Sequence, residues 1–506
     1  MFWLIVGILA VILLYKFHNY IVSPFSYWKN KGIDYHLLHD PYTDIFKFVT
    51  NTVNSFEEDL ANYNGMPDKK VYGIVQFRNP ALMIKDPDLL KQVLIKDFDH
   101  FRNHSNVLGE EDSVLTRNLF ISKDKKWHNS RTILSPVFTA NKMRIIFSLM
   151  ASCGDQIVAY FNKEYEKQGN GKPLEIEFKS TTARFTNDVI ATTSFGLEID
   201  SFKNPENEFI KTGRAIFDFS MIRFILLFKF PFIAKIFNVK LMAPIVYEFF
   251  PKVIRETLKN RRENNIKRPD MIQLMMEAKE SLEKNPVKDL VLEDDDIISQ
   301  AFVFFGAGFE TVSVAMSFAM YELAIHPEIQ KRLQEECIEN FKKGDGKITY
   351  ELLQGMKYLD MVVSESFRKW PPATSLDRVC NKKYTLNVDD QEIVIEPEMF
   401  IICPVLGIHR DPKYYPNPDK FDPERFNDEN KASIHPMTYM PFGAGPRICI
   451  ASRFAIMEVK LFLCYILANF NLEPTEKTPI PLKIKMSGFT YTAKDGFWIG
   501  LKPREQ

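Results

Sequence analysis

Residues Phe2 to Tyr15, FWLIVGILAVILLY, are apolar without a break, and FHNYIV carries the run past Lys16 toward the ~20 residues a bilayer span requires. No basic residue precedes the run and no A-x-A-like site closes it, so the pattern predicts an uncleaved anchor over residues 1–22. Lys16, Lys29 and Lys31 come afterwards, which by the positive-inside rule places the remaining chain in the cytosol. YGIVQFRNPALMIK (Tyr72 to Lys85) mixes β-branched and aromatic residues around an Asn-Pro turn and predicts a hairpin. DPDLLKQVLIKDF (Asp86 to Phe98) predicts a short helix, with Asp86 as N-cap and Pro87 at its first position. From Asp124 to about Lys343 apolar positions recur every three to four residues, the period of amphipathic helices. Strand-like runs return between Lys383 and Val405, in KYTLNV and EIVIEPEMFIICPV, and again in FWIGLKP (Phe497 to Pro503). The sum is mainly α with small β-sheets, an α+β body forming one domain over residues 23–506. One block has two readings: Phe217 to Phe250 is either a buried helix pair joined at Pro231, or a membrane-surface patch with Lys229, Lys235 and Lys240 at headgroup depth.

Composition narrows the partners. Lys+Arg and Asp+Glu are both 65, and a zero net charge argues against nucleic acid, which needs a concentrated basic surface. The 43 phenylalanines suit a large apolar interior. Cys153, Cys337, Cys380, Cys403, Cys449 and Cys464 lie far apart with no C-x-x-C pair, which fits neither a disulfide framework nor a structural zinc site. Asn103-His104-Ser105 has the form of a glycosylation sequon that a cytosolic body would leave unused.

The chemistry concentrates in PFGAGPRICIA (Pro441 to Ala451). Gly443 and Gly445 permit a tight, side-chain-free loop. A dinucleotide fingerprint would need glycine where Ile448 stands and an N–H where Pro446 stands, so that reading fails. Cys449 then comes at the head of a helical sequence, where N–H groups, the helix dipole and nearby Arg447 favour a thiolate. A thiolate presented to a bulky partner is what an axial haem ligand requires. In AFVFFGAGFETVSVAMSFAMYELA (Ala301 to Ala324), Gly306 and Gly308 weaken an apolar helix, and Glu310-Thr311 place a carboxylate and a hydroxyl there, suited to opening a groove for O₂ and relaying protons. Glu365 and Arg368 share a helix face before Trp370-Pro371-Pro372 ends that helix. Arg425 stands in FDPERF, and Trp127 and Arg131 are i, i+4 neighbours able to bind an acidic group such as a propionate. Each of these last signals is weak alone; their co-occurrence in this order is specific.

The chain resembles a microsomal cytochrome P450 over essentially its whole length. The family's ligand loop, F-G-x-G-x-R-x-C-x-G/A, matches FGAGPRICIA from Phe442 to Ala451, and implies that Cys449 is the proximal ligand of haem iron, with Phe442 in the same loop. The A/G-G-x-D/E-T motif matches Ala307 to Thr311 and implies oxygen activation and proton delivery by Glu310 and Thr311. The E-x-x-R motif matches Glu365 and Arg368, with Arg425 completing a structural network, while Trp127, Arg131, Arg378 and Arg447 resemble the donors to the haem propionates. KDFDHFRNH, WHNSRTILSPVFTANKM and FFGAGFETVS look like the insect detoxification enzymes of this superfamily. Two departures stand out: Ala451 replaces the commoner glycine, from which a small perturbation is expected, and the proline-rich hinge after the anchor is missing.

The resemblance implies a haem b monooxygenase of the endoplasmic reticulum membrane, its body cytosolic, that inserts one atom of O₂ into lipophilic substrates such as plant toxins or insecticides. Electrons would come from NADPH–cytochrome P450 reductase, with cytochrome b5 as a second donor. Lys125, Lys126, Lys142 and Arg453 are candidate donor-facing charges. Candidate substrate walls are Val107 to Phe120, the block near Phe217, Phe304 to Phe309, Ala373 to Leu376 and Phe489 to Thr492. The alternatives are oxidation of an endogenous lipid or hormone, and a non-catalytic haem sensor, which would need no Glu310-Thr311 pair.

Overall fold

The computed structural model describes residues 2–50, 54–76, 79–105, 114–218, 222–223, 226–227, 231–487 and 490–504. They form two compact units, one of Met1–Ser105, Ala373–Tyr414 and His435–Arg447, the other of Asn106–Pro372, Tyr415–Ile434 and Ile448–Gln506. More than half the chain is helical, with small sheets, the α+β class expected.

In the first unit the expected hairpin is present: strands Val71–Gln76 and Asn79–Ile84 pair antiparallel, Val75 opposite Pro80. Phe400–Cys403 joins it in parallel and Leu376–Val379 closes a four-stranded sheet. A second hairpin pairs Tyr384–Val388 with Gln391–Ile395. Asp86 caps helix Pro87–Lys91 as expected, its carboxylate accepting the N–H groups of Asp88 and Leu89. The core gathers Leu82, Ile84, Leu90, Phe101 and Ile401.

The N-terminal helix runs over Phe2–Lys31, past the expected boundary at residue 22. Its two parts differ. Trp3, Leu4, Val11 and Leu14 are exposed, each at least 65% accessible, an apolar surface suited to lipid. Phe25 and Trp28 are buried, and the Trp28 indole N–H donates to the Ile74 carbonyl at 2.8 Å. Gly73 makes room for that ring, because a Cβ there would lie 2.3 Å from it.

The second unit is built on helices, among them Asp124–Leu134, Ala140–Gln168, Phe178–Ile190, Pro244–Glu263, Met271–Lys284, Asp294–Ile325, Lys357–Lys369 and Ser452–Asn469. The Asp294–Ile325 helix is long and apolar enough to cross a membrane, but most of it is buried inside the protein, and it serves as the core helix. Three aspartates in its first turn and a Glu293–Asp296 capping box fix its start. Beneath it the phenylalanines pack as an aromatic chain: Phe250 lies 4.9 Å from Phe305, which stacks on Phe309 at 5.7 Å. The helical stretch expected from Asp124 to Lys343 is interrupted by strand Leu174–Glu177, which pairs with Trp498–Pro503, itself paired with Phe470–Glu473. A hairpin of Ile484–Ser487 and Thr490–Ala493 completes the unit.

The Phe217 to Phe250 block divides. Phe250, Val246 and Leu241 are buried, whereas Phe232, Ile236 and Phe237 are exposed; residues 219–221, 224–225 and 228–230, with Lys229, lie outside the described residues.

Candidate functional site

Gly443 and Gly445 both take positive φ, +80° and +73°, which is the conformation the glycine-rich loop was expected to need. At Gly445 a Cβ would come 2.1 Å from the Leu94 carbonyl oxygen, so no other residue fits without moving backbone. Helix Ser452–Asn469 begins after Cys449, not at it, with Ala451 in the N-cap position. Among the described residues Cys449 is the exposed cysteine, and the other five are buried free thiols. Burial of its surroundings pushes the thiol pKa up, opposed by a hydrogen bond from the Ala451 N–H and by the positive charge of Arg131. Arg131 lies half-buried on helix Asp124–Leu134, one turn beyond buried Trp127.

On the core helix, Thr311 and Ala307 mark the open side. Ala307 is exposed, Thr311 half-buried, and the Thr311 hydroxyl donates to the Ala307 carbonyl at 2.5 Å. That is the competition for a backbone carbonyl that the sequence led us to expect. The helix nevertheless runs unbroken through Gly306 and Gly308. Gly308 serves close packing, because a Cβ there would sit 2.9 Å from Ile190 on the Phe178–Ile190 helix. Glu310 points elsewhere. Its buried carboxylate accepts Lys179 Nζ at 2.8 Å and the hydroxyls of Thr490 and Ser487 at 3.3 and 3.4 Å, while Lys179 also reaches Ser313 at 2.7 Å. Lys179 stands 131 residues away in sequence and nothing in its own neighbourhood marks it. Of the expected substrate walls, Phe304 faces Phe138 edge-on at 5.2 Å, and Phe305 and Phe309 turn into the core. Thr490 and Thr492 are buried, and residues 107–113 and Phe489 lie outside the described residues.

Glu365 and Arg368 are both fully buried and form a two-pronged ion pair, Arg368 Nε and its terminal nitrogen donating at 2.7 and 2.8 Å. Arg368 also donates to the Pro418 carbonyl, Asp422 N–H donates to Glu365, and Arg425 Nε stands 3.5 Å from Glu365 while its guanidinium holds the Asn417 carbonyl. The pair so joins one helix to the 417–425 loop.

In the first unit Arg378 is buried, with its Nε unpartnered, and donates to the Asp377 carbonyl. Arg447 donates to the Arg102 carbonyl at 2.9 Å and reaches the Asn103 side chain at 3.5 Å. His104 sits between these cations. Burial first, then Arg378 and Arg447, hold its pKa down, against the opposing pull of Asp377. Asn103, the sequon asparagine, is buried and its backbone bridges to Val379. Phe442 is half-buried in the same unit.

The cytochrome P450 family profile matches residues 45–499. The chain is 43% identical to "Cytochrome P450 9e2" of Blattella germanica over 474 residues, covering 89% of each protein. It is 40% identical to "Probable cytochrome P450 9f2" of Drosophila melanogaster over 503 residues, covering 96% of this chain and 97% of that one. It is 37% identical to "Cytochrome P450 6k1" of Blattella germanica over 497 residues, covering 94% and 93%. The chain belongs to the cytochrome P450 family. It is a monooxygenase, an oxidoreductase that works with haem b, O₂ and electrons from a redox partner, and the insect likeness read from its motifs holds. Its exposed apolar N-terminal surface accords with membrane association.

The donors of the second unit fit such a group: Cys449 offers one exposed sulfur supported by an N–H and a cation.

Proposed function

We propose that this chain is an NADPH-dependent monooxygenase of the endoplasmic reticulum membrane, with its body on the cytosolic side, that oxidises lipophilic foreign compounds such as plant toxins or insecticides. The observation that carries it is Cys449, an exposed sulfur on a loop of two positive-φ glycines, backed by the Ala451 N–H and Arg131. Haem bound there would supply the oxygen chemistry. Cys449 would hold the iron, Trp127, Arg131, Arg378 and Arg447 would hold the propionates, and Phe442 would pack in the ligand loop. The Thr311 hydroxyl, anchored on the Ala307 carbonyl, positions a proton on the open side of the core helix. Glu310, one residue away, is charge-paired with Lys179 and turned to Ser487 and Thr490, so its carboxylate would act through that pair and not hand a proton directly to Thr311. Glu365, Arg368 and Arg425 keep the 417–425 loop in place and take no part in chemistry. Electrons come from the NADPH–cytochrome P450 reductase, with cytochrome b5 as a second donor; Lys126 and Arg453 are exposed and able to face such a partner. The insect-type motifs support the foreign-compound substrate class.

The test has two stages. The dithionite-reduced, CO-treated protein is expected to show the red-shifted Soret band of a thiolate-ligated haem, lost in Cys449→Ser; an unchanged band in that variant refutes the ligand assignment. Membranes containing the protein, reductase and NADPH are then expected to oxidise several lipophilic toxins. Turnover confined to one endogenous lipid or hormone would refute the detoxification role and leave the ligand assignment standing.

A further inference from the structure

Asn-Gly occurs twice in this chain, at Asn64-Gly65 and at Asn170-Gly171. Glycine gives its own amide nitrogen no Cβ to shield it, so that nitrogen can reach the side-chain carbon of the asparagine before it. Both asparagines are exposed, and the fold treats them differently. Asn64 is the last residue of helix Ser55–Asn64, and Gly65 stays helical at φ −62°, ψ −27°. The Gly65 N–H donates to the Asn62 carbonyl at 3.3 Å, and a Cβ on Gly65 would lie 2.4 Å from the His36 ring. There the nucleophile is engaged and the backbone is wedged in place.

Asn170 stands just past helix Ala140–Gln168, which ends on left-handed Gly169 at φ +65°. Gly171 has φ +71° with open space around it, and its N–H donates to no group among the described residues. The Asn170 side chain curls over that nitrogen. Its Oδ1 accepts the Lys172 N–H at 2.9 Å and the Gln168 amide at 2.7 Å, and the backbone donor fixes which side-chain atom is the oxygen. The ring closed by the Lys172 bond contains both Asn170 Cγ and Gly171 N, so electrophile and nucleophile are held as neighbours. The same two donors polarise the Cγ carbonyl and face the charge that gathers on Oδ1 when nitrogen adds, as an oxyanion hole does. Gln168 is itself anchored, its amide also donating to the Lys172 carbonyl at 2.8 Å.

We propose that Asn170 is a self-modification site, at which the folded chain converts asparagine to aspartate and isoaspartate through a cyclic imide. Gly171 N gives its proton to water and forms a bond to Cγ; the Cγ–Nδ2 bond breaks, and Nδ2 takes a proton from water and leaves as ammonia. Water then opens the imide. Attack at Cγ yields aspartate, and attack at the α-carbonyl yields isoaspartate, with the chain running through the side chain. The reaction needs only water. Its product puts a carboxylate beside a helix C-terminus, where the dipole disfavours it. Isoaspartate also adds a backbone carbon between that helix and strand Leu174–Glu177.

Peptide mapping by mass spectrometry tests this on the full-length haem-loaded protein in nanodiscs, held near neutral pH at 37 °C beside a sample in denaturant. Isoaspartate is counted separately by carboxyl methylation with an isoaspartyl methyltransferase. In denaturant the two asparagines should convert at similar rates. In the folded protein Asn170 is expected to keep that rate or exceed it, and Asn64 to fall about tenfold or more below it, because only at Asn170 are the reacting groups placed together. Gln168→Leu, a change at an exposed position, should slow Asn170 severalfold, leave Asn64 unchanged and keep the thiolate-type CO band. Three results overturn the proposal: Asn170 slowed by folding as much as Asn64, the two converting equally fast in the folded protein, or Asn170 converting in Gln168→Leu as fast as in the parent.

Discussion

At Ala451 the backbone lies at φ −96°, ψ 16°, a conformation that alanine adopts and that calls for no glycine. Ala451→Gly is therefore expected to leave haem stoichiometry and the CO band unchanged, as checked by haem quantitation per chain; a clear change in either would show that the Cβ itself matters. Glu310 is the opposite case, where the side chain's partner decides. Removing Lys179 as Lys179→Met leaves a buried carboxylate without its cation, at a cost of about 3 kcal/mol. The double variant Lys179→Met/Glu310→Gln should recover most of that loss in a denaturation cycle, whereas additive losses would show that the two side chains are not coupled. The residue types at 310 and 311 announced themselves through the motif they complete. Lys179 did not, because an ion pair spanning 131 positions leaves no trace in local spacing.

The Phe178–Ile190 helix that supplies Lys179 also carries Asp188, buried against Ser201, whose N–H and hydroxyl both donate to it. Burial pushes the Asp188 carboxyl up to about 7, the Ser201 hydrogen bonds opposing. The folded state therefore keeps a proton that the unfolded chain gives up near pH 4. Stability from this group is full at low pH and is lost as pH rises toward 7. Asp188→Asn removes that dependence, so between about pH 4 and pH 7 the parent should lose stability relative to the variant, by at most ~4 kcal/mol, and the two should stay parallel above. Melting curves that run parallel throughout would place the titration elsewhere. The N-terminal helix allows a sharper dissection. Deleting residues 2–19 should lower membrane partitioning and leave the melting temperature within a few degrees. Deleting 2–31 also removes buried Phe25 and Trp28, so it should destabilise the protein by several kcal/mol, as aromatic core truncations do. Equal melting temperatures for the two deletions would contradict the docking of Trp28.

At the scale of the whole molecule, long periodic helices and strands with local partners were legible in the sequence itself. The hairpin at 71–84 was readable because its two strands and turn lie together, and Asp86-Pro87 because capping is a local event. Strands Leu174–Glu177, Leu376–Val379 and Phe470–Glu473 were not, since four residues carry too little alternation and their partners lie far along the chain. The same limit applies to the site: cysteine, glycines and threonine were visible through spacing, and the destination of Glu310 was not. It applies again at the amino end, where hydropathy alone put a boundary at residue 22 and packing carries the helix to Lys31. That continuity has a mechanical consequence. A slack tether lets its cargo swivel, but here the Trp28 indole, clamped to Ile74 in the recess left by Gly73, fastens the Ile21–Lys31 arm to the sheet. The chain bends by 47° between Trp3–Asn19 and Ile21–Lys31, so the exposed arm leaves the anchored one at an angle, and the bend, not the sheet, is where the two arms change direction.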